Sequence, residues 1–213
     1  MSLNPGPIVM HGLINTSIQT FLIGNYGTAV WLDVATEIGI PPEGYEAMLT
    51  YDHSHTDALL AAASTRLNKP RLGFLEDLGA YVAMIEPVRR LLRFSGPDYP
   101  EFLLSLNEMQ GRAQMALPDL EMPELTCSLE HVGVYRLSVH SKMLGWGAAM
   151  TGLVRAMADD YGALAFIEYL DHVQDRGGVC DDQMVQEDVL VTLLEESFAE
   201  GRSFDLAAPA GRV

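Results

Sequence analysis

"ELTCSLEHVGVYRLSVHS", residues Glu124 to Ser141, decides the fold class. Apolar and polar residues alternate on both sides of Gly133, which predicts two antiparallel strands joined at that glycine. Everything before this stretch has a different texture. From His11 to Met115 apolar residues recur at helical spacing almost without a break. After it, "WGAAMTGLVRAMADDYG" (146–162) returns to helix. "ALAFIEYL" (163–170) and "EDVLVTLLEESF" (187–198) then read as strands separated by the turn-rich "DRGGVCDD". Helices, then strand, strand, helix, strand, strand make an α+β fold: a helical N-terminal half followed by a mainly antiparallel sheet with a packed helix.

Within the helical half, "HGLINTSIQTFLIGNYG" places Leu13, Ile14, Ile18, Phe21 and Leu22 on one face, and Gly27 can end the helix. "TAVWLDVATEIGI" follows with Thr28 as its expected N-cap. "PPEGYEAML" reads as a turn plus a short helix, and "YDHSHTDALLAAASTRLN" as a polar loop leading into an alanine-rich helix. "PRLGFLEDLGAYVAMIEPVRRLL" is a longer helix that Pro87 should kink or interrupt. "FLLSLNEMQGRAQMALPDLEMP" (102–123) reads as one amphipathic helix broken at Pro118, with Gln110 beside its apolar stripe. The expected organisation is a tail or cloning scar over 1–9 and a single domain over 10–200. Its helical half covers about 10–122 and its sheet-containing half about 123–200, and a C-terminal tail covers 201–213.

Composition narrows the function classes. At 48% hydrophobic and 20% charged residues, the 213-residue chain can build a sizeable core. Its net charge of −16 disfavours nucleic acid and anionic membranes as partners. No apolar run reaches the roughly 18 residues that span a bilayer, and no signal-peptide pattern opens the chain. Cys127 and Cys180 are the only cysteines, too few for a disulfide framework. A cytoplasmic, reduced protein is expected.

Each candidate for chemistry has a plainer reading beside it. "DHSHTD" (52–57) is the densest ligand-type cluster, but its i,i+2 histidines lack a second pair at zinc-ligand spacing. "GGVCDD" lacks the Lys-Ser/Thr of a phosphate-binding loop. Asp159-Asp160 and Glu195-Glu196 read as solvated ends, and neither cysteine has a neighbouring cation that would lower its pKa. His131 and His140 flank the Gly133 turn as strand residues, while Met109, Met115, Met122 and Met143 read as packing. No nucleophile, base and orienting group can be assembled, so no enzyme is expected.

The chain nevertheless resembles a known family. "MHGLIN" (10–15) is similar to the opening of the H-NOX, or heme-nitric oxide/oxygen-binding (HNOB), domains. The similarity continues in order through "AMLTYDHSHTDALLAAASTRLN", "FLEDLGAYV", "EFLLSLNEMQGRAQMALPDLEMP" and "LSVHSKMLGWGAAMTGLVRAMADDYG". The resemblance implies an H-NOX-like fold with heme between its halves. It also implies an axial histidine on the helix after "SLN" and a Tyr-x-Ser-x-Arg clamp on the propionates. In this chain the axial position falls at Gln110, and the clamp falls at Val139, Ser141 and Met143, where only the serine matches. Iron in heme is held by His, Cys, Met or Tyr, and Arg would have given a propionate a bidentate bond that Met cannot.

The expected function is therefore a non-enzymatic sensor of H-NOX type with degenerate heme binding. Its partner, by resemblance, is a separate histidine kinase or cyclase. Gln110 would then cap or fill a shrunken pocket. One alternative is a gas or redox sensor keeping heme through a replaced ligand such as Met109, Met115, His131 or His140. Another is a module that binds a metal or an apolar molecule.

Overall fold

The structure, a computed structural model, describes residues 9–170 and 184–194. The strand pair read from the sequence is present: β3 (Glu124–His131) and β4 (Val134–Ser141) are antiparallel, with Leu125 opposite Val139 and Cys127 opposite Leu137. Gly133 turns the chain at φ 72°, a conformation that favours glycine. Helix α8 (Trp146–Tyr161), strand β5 (Ala165–Leu170) and strand β6 (Val185–Leu193) complete this half, and the sheet order is β3-β4-β6-β5, antiparallel throughout.

Period-two alternation gives the sheet one apolar face. Leu125, Leu137, Val139, Val189 and Val191 point into a core shared with Met150, Val154 and Met157 of α8. Helix α6 (Tyr99–Ser105) adds Tyr99, Phe102 and Leu103, all fully buried. The Tyr99 hydroxyl donates to the Val154 carbonyl at 2.8 Å, and burial raises its pKa. Asp98 caps α6, accepting from the Glu101 amide at 2.8 Å. Asp98→Ala should therefore cost about 1 kcal/mol in urea unfolding.

The helical half comprises α1 (Gly12–Tyr26), α2 (Thr28–Glu37), α3 (His53–Leu67), α4 (Arg71–Met84) and α5 (Glu86–Arg93). Ile18, Phe21, Trp31, Leu59 and Phe74 form its core. The break expected at Pro87 occurs at Ile85, with the proline in the first turn of α5, where its missing N–H costs nothing. In the "MHGLIN" segment, Asn15 Oδ1 accepts from the Thr56 hydroxyl at 2.7 Å, a buried link between α1 and α3.

Several local expectations need correction. Residues 41–49 form turns with no helix, because Pro41, Pro42 and a Gly44 at φ 82° stop one from starting. "DHSHTD" is no loop: Tyr51 and Asp52 lie in strand β2 (Thr50–Asp52), and His53 opens α3. Asp52 caps that helix by accepting from the Ser54 amide at 2.9 Å, and hydrogen bonds from the Ser54 hydroxyl and amide lower its pKa. β2 pairs with a strand that the sequence reading missed, β1 (Val9–His11). Val9, assigned to the tail, is therefore part of the fold. Gly27, rather than Thr28, is the N-cap of α2. The helix of 102–116 is two: α6 and α7 (Met109–Ala116) are separated by a 3₁₀ turn at Leu106–Glu108. Residues 1–8, the "DRGGVCDD" turn with Cys180, Glu195-Glu196 and the tail over 201–213 lie outside the described residues.

The two halves are joined by a close crossing of α4 and α8. A Cβ on Gly79 would land on the Ala149 carbonyl, and one on Gly152 would land on the Glu76 carbonyl. Arg155 of α8 pairs with Glu76 of α4 across this crossing. Arg89 and Arg93 of α5 both reach Asp160 near the end of α8. No helix among the described residues is long and apolar enough to cross a membrane.

Candidate functional site

A cavity of about 260 Å³ opens where α7, the start of β3, the end of β4 and the first turn of α8 come together. Gln110, Ser141 and Met143 all line it, and Met10 reaches it from β1 in the other half. Gln110 is the second residue of α7 and is half-buried. Its Nε2 donates to the Met122 carbonyl at 3.2 Å, so the amide ties α7 to the segment leading into β3.

The other singled-out residues have distinct places. Val139 is fully buried on the inner face of β4 and belongs to the sheet core. Ser141 is buried; its hydroxyl donates to the Met143 carbonyl and accepts from the Met143 amide at 3.3 Å, which shapes the turn after β4. Met143 is half-buried in the cavity wall. Met109 packs against the sheet core, while Met115 is 80% exposed and Met122 and His140 line the cavity. His131 sits at the end of β3, away from the cavity.

The sequence reading missed Glu187. It is 1% exposed, and it faces inward from β6 in register with Val139. Its carboxylate accepts from the amides of Gly145 (3.0 Å) and Gly147 (3.1 Å) and from the Tyr169 hydroxyl (2.7 Å). The first turn of α8 is a ready-made anion site, with free N–H groups and the positive end of the helix dipole. Here the chain fills that site with its own side chain. A Cβ on Gly147 would sit 2.7 Å from the Glu187 Cβ, so the glycine lets the strand approach. One sequence signal existed: Glu187 shares its strand face with Val189 and Val191, where an apolar residue is expected.

A heme does not fit this arrangement. Pockets that bury drug-sized ligands run from about 300 Å³ upwards, and 260 Å³ is too small for a larger planar macrocycle. The side chain of Gln110, where the resemblance puts the iron ligand, is an amide already committed to the Met122 carbonyl. Among the described residues the cavity wall carries one lysine, Lys142, which lies 3.5 Å from Glu121, and Glu124 adds a second carboxylate. Two propionates would meet net negative charge and an occupied helix N-terminus.

Other candidate chemistry is engaged in the fold. His53 Nδ1 lies 3.1 Å from Asp57, which also pairs with Arg71, so these side chains of "DHSHTD" are engaged within the fold. Among the described residues no group of three or more His, Cys, Asp or Glu side chains converges. Burial pushes the Cys127 thiol up to about 12, which keeps it protonated and unreactive at neutral pH.

Comparison with known proteins places this geometry. Residues 11–168 match the family model described as Haem-NO-binding. The chain is 23% identical over 167 residues to the soluble guanylate cyclase gcy-31 of Caenorhabditis elegans. That match covers 76% of this chain, which spans only 24% of the cyclase. An H-NOX variant from T. Tengcongensis superposes with a TM-score of 0.72 at 16% identity, covering 87% of this chain and 98% of that one. An Fe(II) unliganded H-NOX variant from K. algicida gives 0.70 at 18% identity, covering 88% and 98%. At these identities the structural likeness establishes the fold.

Proposed function

This chain belongs to the haem-NO-binding family, and on that premise we propose that it is a non-enzymatic sensor or signalling domain whose heme anchorage has been replaced by contacts internal to the protein. The observation that carries this reading is Gln110. A neutral amide stands at the iron-ligand position and is hydrogen-bonded to the Met122 carbonyl. Glu187 supports it, because its carboxylate already takes the amide donors at the start of α8, the helix whose Trp146 lines the cavity.

A sensor needs two arrangements that its ligand binds unequally. The cavity is suited to bias such a pair, since its walls come from both halves and from α7. Output would pass to an effector of cyclase or histidine-kinase type, in line with the guanylate cyclase relative.

The test is a hemin titration read at the Soret band. The unaltered chain should show little shift. Gln110→His should gain weak binding, and adding Met143→Arg should tighten it about tenfold or more, the worth of a charge-assisted bond. Stoichiometric uptake by the unaltered chain would overturn the reading.

A further inference from the structure

The geometry points to a second chemistry for the cavity: we propose that it binds a soft monovalent metal ion, Cu(I), through methionine thioethers and the imidazole of His140. This rests on the reading that heme does not fill the cavity. Four of its thirteen described lining residues are methionine, in a chain with 11 methionines among 213 residues. Met10, Met122, Met143 and Met184 come from β1, the segment before β3, the turn after β4 and the residue before β6. Residues this far apart in the chain meet only in the folded state.

His140 is the second observation. It lines the cavity and its side chain makes no hydrogen bond or ion pair among the described residues; its Nδ1 is buried, which leaves Nε2 as the ring nitrogen open to a cavity ion. Neutral imidazole binds soft and borderline metals through one ring nitrogen, and an apolar occupant would make no use of it.

The donor set selects the ion. Thioethers and imidazole favour Cu(I), whereas zinc takes thiolate, imidazole and carboxylate. Glu121 and Glu124 at the wall, within a chain of net charge −16, raise the local concentration of cations. Cys127 is no competitor, because it is buried in the sheet core and does not line the cavity.

The experiment is a competition titration under anaerobic, reducing conditions, with Cu(I) supplied as its coloured bicinchoninate complex. The full chain should withdraw one equivalent. His140→Gln and the pair Met143→Leu/Met184→Leu should each lower affinity at least tenfold, and Cys180→Ser should change it less than twofold. Leucine conserves the methionine volume, and an unchanged urea midpoint for the pair would show that the fold is intact. No withdrawal of copper, or withdrawal that Met143→Leu/Met184→Leu leaves unchanged, would overturn the proposal. The hemin titration is read separately at the Soret band, so either result can fail while the other stands.

Discussion

Gly152→Ala is expected to destabilise the chain by about 3 kcal/mol, the upper end of the usual cost of overpacking. The added carbon would lie on the Glu76 carbonyl, a backbone atom that cannot rotate away. The helices would have to separate, and α8 is packed on its other side against the sheet core. Gly79→Ala should behave alike, since its carbon meets the Ala149 carbonyl at the same crossing. The double variant should cost less than the sum, because one separation of α4 from α8 relieves both clashes. Urea unfolding of the three variants checks this. A cost under about 1 kcal/mol for either single change would mean that the crossing is looser than described.

The second large effect belongs to Glu187. Glu187→Ala removes the acceptor for two buried amides and a tyrosine hydroxyl at once. Each buried donor left unpaired costs about 1–3 kcal/mol, so a loss of about 3 kcal/mol is expected. Glu187→Gln keeps one carbonyl oxygen and should lose roughly half as much. Acetate should restore part of the stability of Glu187→Ala, because the emptied helix N-terminus would accept a small carboxylate. Thermal unfolding with and without acetate reads this directly. An alanine variant as stable as the parent, or one indifferent to acetate, would show that water serves those donors equally well.

The larger elements were legible because their signals are local. The alternation from Glu124 to Ser141 fixed a strand pair whose inward residues, Leu125, Leu137 and Val139, are the ones buried. Gly133, Gly27 and Pro87 marked a turn, a helix end and a helix break through their own backbone restrictions. Short elements escaped: β1 and β2 are three residues each, too brief for a period to show. The start of α3 escaped because its first turn is polar, and only the Asp52 cap marks it.

The site was legible in part. That Gln110 is a poor iron ligand and Met143 a poor partner for a propionate could be read from side-chain chemistry alone. What occupies their surroundings could not. Gln110 meets Met122 across a helix end, and Glu187 reaches Gly145 from 42 residues away. Met10 joins the cavity from the opposite end of the chain. Such contacts follow from tertiary packing, which no window of neighbouring residues encodes.

The central claim is that this haem-NO-binding fold holds no heme in the family manner. The most direct measurement is the visible absorption spectrum of the chain purified from heme-sufficient cells. A colourless protein with no Soret band is the result expected from Gln110 and Glu187. A Soret band at one heme per chain would contradict the account.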